Sequence, residues 1–142
     1  MTPDIARRIV AARVEMLLSE PFFGSLALRL DCQERPDVTK TVATDGVMLA
    51  YNPDFVTSIS QKELVGVIAH EVLHCAHGHM WRRNARDFQK WNVACDLAIN
   101  QILVDACFTL PKGILIDSQF SGMSAEAIYS KLPDSQYRDL AP

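Results

Sequence analysis

Apolar residues near the start of the chain fall at Ile5, Ile9, Val10, Val14, Leu17 and Leu18, the spacing of a helix with one face turned to a core. Thr2-Pro3-Asp4 opens that helix with a hydroxyl cap, a proline at the first helical position and an acid at the positive end. Pro21 ends it, because the residue before a proline is pushed out of the helical region. The alternation in "LALRLDC", Leu26 to Cys32, predicts a strand, and "QERPD" after it a loop. In "KTVATDGVMLAYNP", Asp45-Gly46 suits a tight primed turn between two β-leaning arms, so this segment predicts a hairpin that ends at Asn52-Pro53. Three short strands, read as a small antiparallel sheet, thus precede the next helix.

That helix is the best-marked element of the chain. Ser60 and Glu63 form a capping box, Ile59 and Leu64 the matching hydrophobic staple, and Gly78 a C-terminal stop, which predicts a helix over residues 61–77. A basic loop, "MWRRNARD", follows, then a third long helix over 88–106. "TLPKGILIDSQFSG" reads as loop, and Ser124 caps a short last helix through Leu132 before a polar tail. No repeat, linker or low-complexity stretch divides the sequence, so residues 1–142 read as a single domain of α+β class.

Composition adds limits. The chain has 142 residues, 49% hydrophobic and 22% charged, enough for one core without staples. A net charge of −3 argues against nucleic acid or an acidic membrane surface as the main partner. No apolar run approaches the roughly 18 residues of a membrane span, and charges break the N-terminal segment as a signal peptide. Cys32, Cys75, Cys95 and Cys107 form no CxxC pair and read as free thiols in a reducing cytoplasm.

The chemistry is concentrated in "VIAHEVLHCAHGHMW", which carries all 4 histidines of the chain: His70, His74, His77 and His79. His70-Glu71-Val72-Leu73-His74 is an HExxH motif. Positions four apart on a helix lie about 40° apart on one face, so two imidazoles can grip one Zn²⁺, with Glu71 beside them free to act as a base on water. Glu63, Gly66 and His77 share that face, while Leu64, Val65, Ile68, Ala69, Val72, Leu73 and Ala76 cover the other. Gly66 leaves a side-chain-free spot for a ligand or a closely packed neighbour. His77 lies too far along the axis to join both ligands, and the direction of His79 after Gly78 is open.

A third ligand must come from another element. In "WNVACDLAINQILVDA", Asp96 and Asn100 make an inward polar stripe, while Lys90, Gln101 and Asp105 account for solvent. A buried carboxylate needs a partner, and Asp96 reads as a metal ligand or, alternatively, as the partner of Arg82, Arg83 or Arg86. Asn100 is either a support for a metal-binding residue or a buried amide.

"TDGVMLAYNPDFV", "HEVLHCAHGHMWRR", "WNVACDLAIN" and "SGMSAEAIYSKL" together resemble the metallopeptidase-type domain usually found ahead of a von Willebrand factor A-like domain in bacterial proteins. The resemblance implies a zincin-like α+β fold in which a small antiparallel sheet packs with the HExxH helix and a second metal-ligand helix. It implies Zn²⁺ held by His70, His74 and Asp96, with Glu71 as general base. Where metzincins want glycine and histidine seven and ten positions after the first histidine, this chain has His77 and Met80. No A-like domain follows, so the sequence reads as a free-standing form or a fragment.

The expected activity is zinc-dependent cleavage of a peptide or protein substrate. An extended peptide would pair with the strand around Val47 to Tyr51, and His77, His79 or Tyr129 would steady the oxyanion. Two other classes stand beside it. One is a non-catalytic zinc-binding module, marked by a protein ligand at the fourth position. The other is a regulatory domain that docks a protein partner through "WRRNARD", although arginines there equally follow from a helix C-terminus. Trp81 and Trp91 read as core.

Overall fold

The computed structural model describes residues 3–133, so the Thr2 cap and the polar tail lie outside the described residues. In chain order these form α1 (Pro3–Ser19), α2 (Pro21–Leu28), β1 (Asp31–Glu34), β2 (Val42–Thr44), β3 (Met48–Tyr51) and α3 (Pro53–Ser58). There follow α4 (Gln61–His77), α5 (His79–Arg82), α6 (Phe88–Asp105), a 3-10 turn (Ser118–Phe120) and α7 (Ala125–Lys131). The class is α+β, as the pattern predicts.

Three expectations change. First, the segment expected as a strand from Leu26 is mostly the helix α2, with β1 starting only at Asp31. Pro21 ends α1 and also starts α2 at its first turn, and the short apolar run buries Phe23, Gly24 and Ala27 on one helical face. Gly24 makes that packing possible: a Cβ there would lie 2.3 Å from the Leu17 Cα of α1. Second, the sheet is mixed rather than antiparallel. Its order is β1-β3-β2, with β1 parallel and β2 antiparallel to β3. Third, part of the apolar pattern of α1 faces outward. Ile5, Ile9, Ala12 and Met16 are buried, whereas Val10, Val14, Leu17 and Leu18 are exposed.

The hairpin forms, one residue along from the expected turn. Asp45 N donates to Met48 O at 3.3 Å, so Gly46 and Val47 make the connection, with Gly46 at φ 97°. The Asp45 carboxylate accepts from the backbone N–H of Val47 and of Met48 at 2.9 and 2.8 Å. Asn52 caps α3, a short helix the sequence pattern did not signal.

The long helices match their predicted bounds because their ends are written in side chains. Ser60 Oγ accepts from Glu63 N at 3.1 Å while the Glu63 carboxylate accepts from Ser60 N at 2.9 Å. Gly78, at φ 65°, closes α4 in the left-handed region. The Asp87 side chain caps α6 and the Ser124 hydroxyl caps α7. The main core joins α1, α2, the sheet and the apolar face of α4, and takes in Ile99 and Leu103 of α6. The Arg8 guanidinium binds α1 to the start of α4 by donating to Val56 O, Ile59 O and Gln61 Oε1 at 2.6, 2.9 and 2.9 Å. At the other side of α4, a Cβ on Gly66 would lie 2.0 Å from Thr109 O, so the side-chain-free spot takes a closely packed neighbour.

Candidate metal centre

α4 and α6 pack against each other and bring three side chains to one point. His70 Nε2 and His74 Nε2 are 3.0 Å apart, and each lies 3.2 Å from Asp96 Oδ1. Asp96 is buried at 4% exposure, whereas His70 and His74 are half-buried. Around a tetrahedral ion with bonds of ~2.0–2.1 Å, any two ligand atoms stand about 3.3 Å apart. The observed triangle therefore fits one face of such a coordination shell. These residues could hold a metal ion, and among the described residues no further His, Cys, Asp or Glu joins the group.

The reading of Asp96 as partner of an arginine does not hold. Arg82 is instead engaged by Glu126, with Nε donating to Oε2 at 2.9 Å, which ties α5 to α7. Asn100 takes the supporting role: its Oδ1 lies 2.8 Å from His70 Nδ1, while its Nδ2 donates to Leu115 O at 2.9 Å. A carbonyl oxygen can only accept, so His70 carries a hydrogen on Nδ1 and turns Nε2 toward the triangle.

Charge and hydrogen bonding couple these side chains. Burial disfavours charge on His70, but hydrogen bonding to Asp96 and the field of Glu71 and Asp96 outweigh it and raise its pKa to about 9. Burial also works against the Asp96 carboxylate, yet hydrogen bonds from His70 and His74 hold it down to about 2. Glu71 is buried, and that burial pushes its pKa up against the opposing pull of His70 and His74. A carboxyl group with raised proton affinity beside a cation site suits proton transfer.

His79, whose direction the sequence left open, is buried at 4% exposure beneath His74, with Nδ1 at 3.1 Å from His74 Nδ1. His77 is exposed and stacks on His79 with ring centroids 5.3 Å apart. Tyr129 accepts from Asp87 N at 2.8 Å. The two tryptophans part company. Trp91 is buried and donates to His79 O at 3.0 Å, whereas Trp81 is 68% exposed and lies over Gly46.

The strand expected to receive a peptide cannot do so at its edge. β3, the expected docking strand, is the middle one, paired on both sides. The free edge nearer α4 belongs to β2, where the hydroxyl of Thr44 lies 3.5 Å from Cys75 Sγ. Backbone bonds at Thr41–Asn52 and Asp45–Met48 turn the N–H and C=O of Val42 and Thr44 away from β3. Val42 is buried and Thr44 half-buried.

No solved structure matches the chain. An uncharacterised protein of Thermotoga maritima is 33% identical over 76 residues, which amounts to 51% of this chain and 19% of the relative. The chain thus spans about a fifth of the length of that relative. A family described as "Putative metallopeptidase domain" matches residues 5–140, nearly the whole sequence, and the chain belongs to that family.

Proposed function

We propose that this domain is a zinc-dependent metallopeptidase of zincin-like architecture, cleaving peptide bonds in a peptide or protein substrate. The observation that carries the reading is the triangle of His70 Nε2, His74 Nε2 and Asp96 Oδ1, with buried Glu71 in the field of all three. Two imidazoles and one carboxylate are a donor set that suits zinc, and three protein ligands leave a position open for chemistry. When bound, the ion acidifies water and polarises a carbonyl oxygen.

The chain's own residues supply the rest. Asn100 fixes the ring of His70 so that its Nε2 lone pair is presented. Asp96 is held ionised by its two histidine neighbours and keeps a negative charge at the site. Glu71 takes the proton from the attacking water and delivers it to the departing amine nitrogen, the transfer for which its raised pKa fits it. An extended substrate chain pairs with the rim of β2 at Thr44. The absence of a fourth His, Cys, Asp or Glu from the ligand group among the described residues favours this over a closed structural site.

Metal analysis and peptide hydrolysis on the same samples test the reading. Glu71→Gln should keep its zinc and lose turnover by at least roughly 100-fold, within the range of general acid–base contributions. Asp96→Ala should lose zinc. Unchanged hydrolysis in Glu71→Gln, or full loading in Asp96→Ala, contradicts the assignment.

A further inference from the structure

We propose that His79 is a positioning residue for His74, accepting a hydrogen bond that fixes the tautomer and direction of that ligand. The inference rests on the metallopeptidase reading above and extends it to a residue outside the motif. His74 Nε2 faces the triangle, 3.0 Å from His70 Nε2 and 3.2 Å from Asp96 Oδ1. An imidazole that offers the Nε2 lone pair to an ion carries its hydrogen on Nδ1, and that hydrogen needs an acceptor. The neighbouring atom is His79 Nδ1, at 3.1 Å. For His70 the same place is taken by Asn100 Oδ1 at 2.8 Å, so each histidine ligand has its own acceptor behind it.

His79 is itself held from several sides. Gly78 at φ 65° turns the chain back under α4, which brings the next residue beneath His74. The carbonyl of His79 accepts from Trp91 Nε1 at 3.0 Å. Its ring meets Trp91 edge-on at 6.0 Å and stacks on His77 at 5.3 Å. With its Nδ1 given to His74, His79 adds no fourth ligand; it sets the direction of the second.

Zinc affinity of the full chain, measured by competition with a chromophoric chelator, tests this without reference to activity. His79→Ala should weaken zinc binding by roughly 10–100-fold, the usual effect of losing such an outer partner. His79→Asn, whose amide oxygen can stand where Nδ1 stood, should recover most of the loss. In the wild type, a nitrogen–nitrogen scalar coupling across the hydrogen bond should link His74 Nδ1 to His79 Nδ1. That measurement stands even if His79→Ala fails to fold. Equal zinc affinity in His79→Ala and wild type, His79→Asn as weak as His79→Ala, or no such coupling would each overturn the proposal. A folded wild type that takes up no zinc sinks the metallopeptidase reading first, and this inference with it. That failure is recognised before any variant is compared.

Discussion

His70 and Asp96 form an ion pair, and that pair bears on how a cation would enter. With the His70 pKa raised to about 9, the ring is protonated at neutral pH, and an incoming ion must displace that proton. The sign follows: apparent metal affinity should fall as pH drops below about 9, by up to about tenfold per unit, and level off above it. Calorimetry in buffers of different ionisation enthalpy should record release of about one proton per ion near pH 7.5. No release there would mean that His70 is not protonated in the apo site. At this scale the sequence carried much of the centre: helical spacing put His70 and His74 together, and the cost of an unpaired inward carboxylate pointed to Asp96. His79 could not be read, since its direction depends on the left-handed turn at Gly78 and on packing against Trp91.

Among the elements, α4 and α7 were legible because capping is local chemistry, settled by side chains within three residues of the helix start. α2 and the parallel pairing of β1 were not, because both depend on contacts outside their own segment: the close approach of Gly24 to α1, and the choice of β3 as a neighbour. Gly66 illustrates the same limit. Seen alone in a helix, its replacement by alanine should stabilise by roughly 1 kcal/mol. In the fold, the new methyl would meet Thr109 O, a backbone atom, at 2.0 Å. With Thr109 O so close, overpacking should fall near the upper end of its usual range, about 3 kcal/mol, so Gly66→Ala should come out destabilised by about 2 kcal/mol net. Urea denaturation decides it, and a stabilised variant would show that Thr109 yields without cost.

For the molecule as a whole, the ion would join α4, which lies in the main core, to α6, whose opposite face packs with α7 and the 3-10 turn in a second cluster. Binding only to the folded state stabilises by mass action, about 4 kcal/mol at free metal one thousand times the dissociation constant. Stripping the metal with a chelator should therefore lower the thermal midpoint by several degrees, and calorimetric scans before and after metal return should show recovery. An unchanged midpoint would mean that the two clusters are joined firmly without it. Among the described residues no helix is long and apolar enough to cross a membrane.

β2 is 3 residues long, and at half-buried Thr44 it turns one N–H and one C=O away from β3. Two such bonds contribute about 1–3 kcal/mol together. A folded protein holds its own strands with a global stability of about 5–15 kcal/mol, far more than this rim can recover. On the peptidase reading proposed above, a grip so slight would select by disorder more than by sequence: it would admit chain that has already lost its partners, such as a frayed end or a misfolded loop, and leave intact domains untouched.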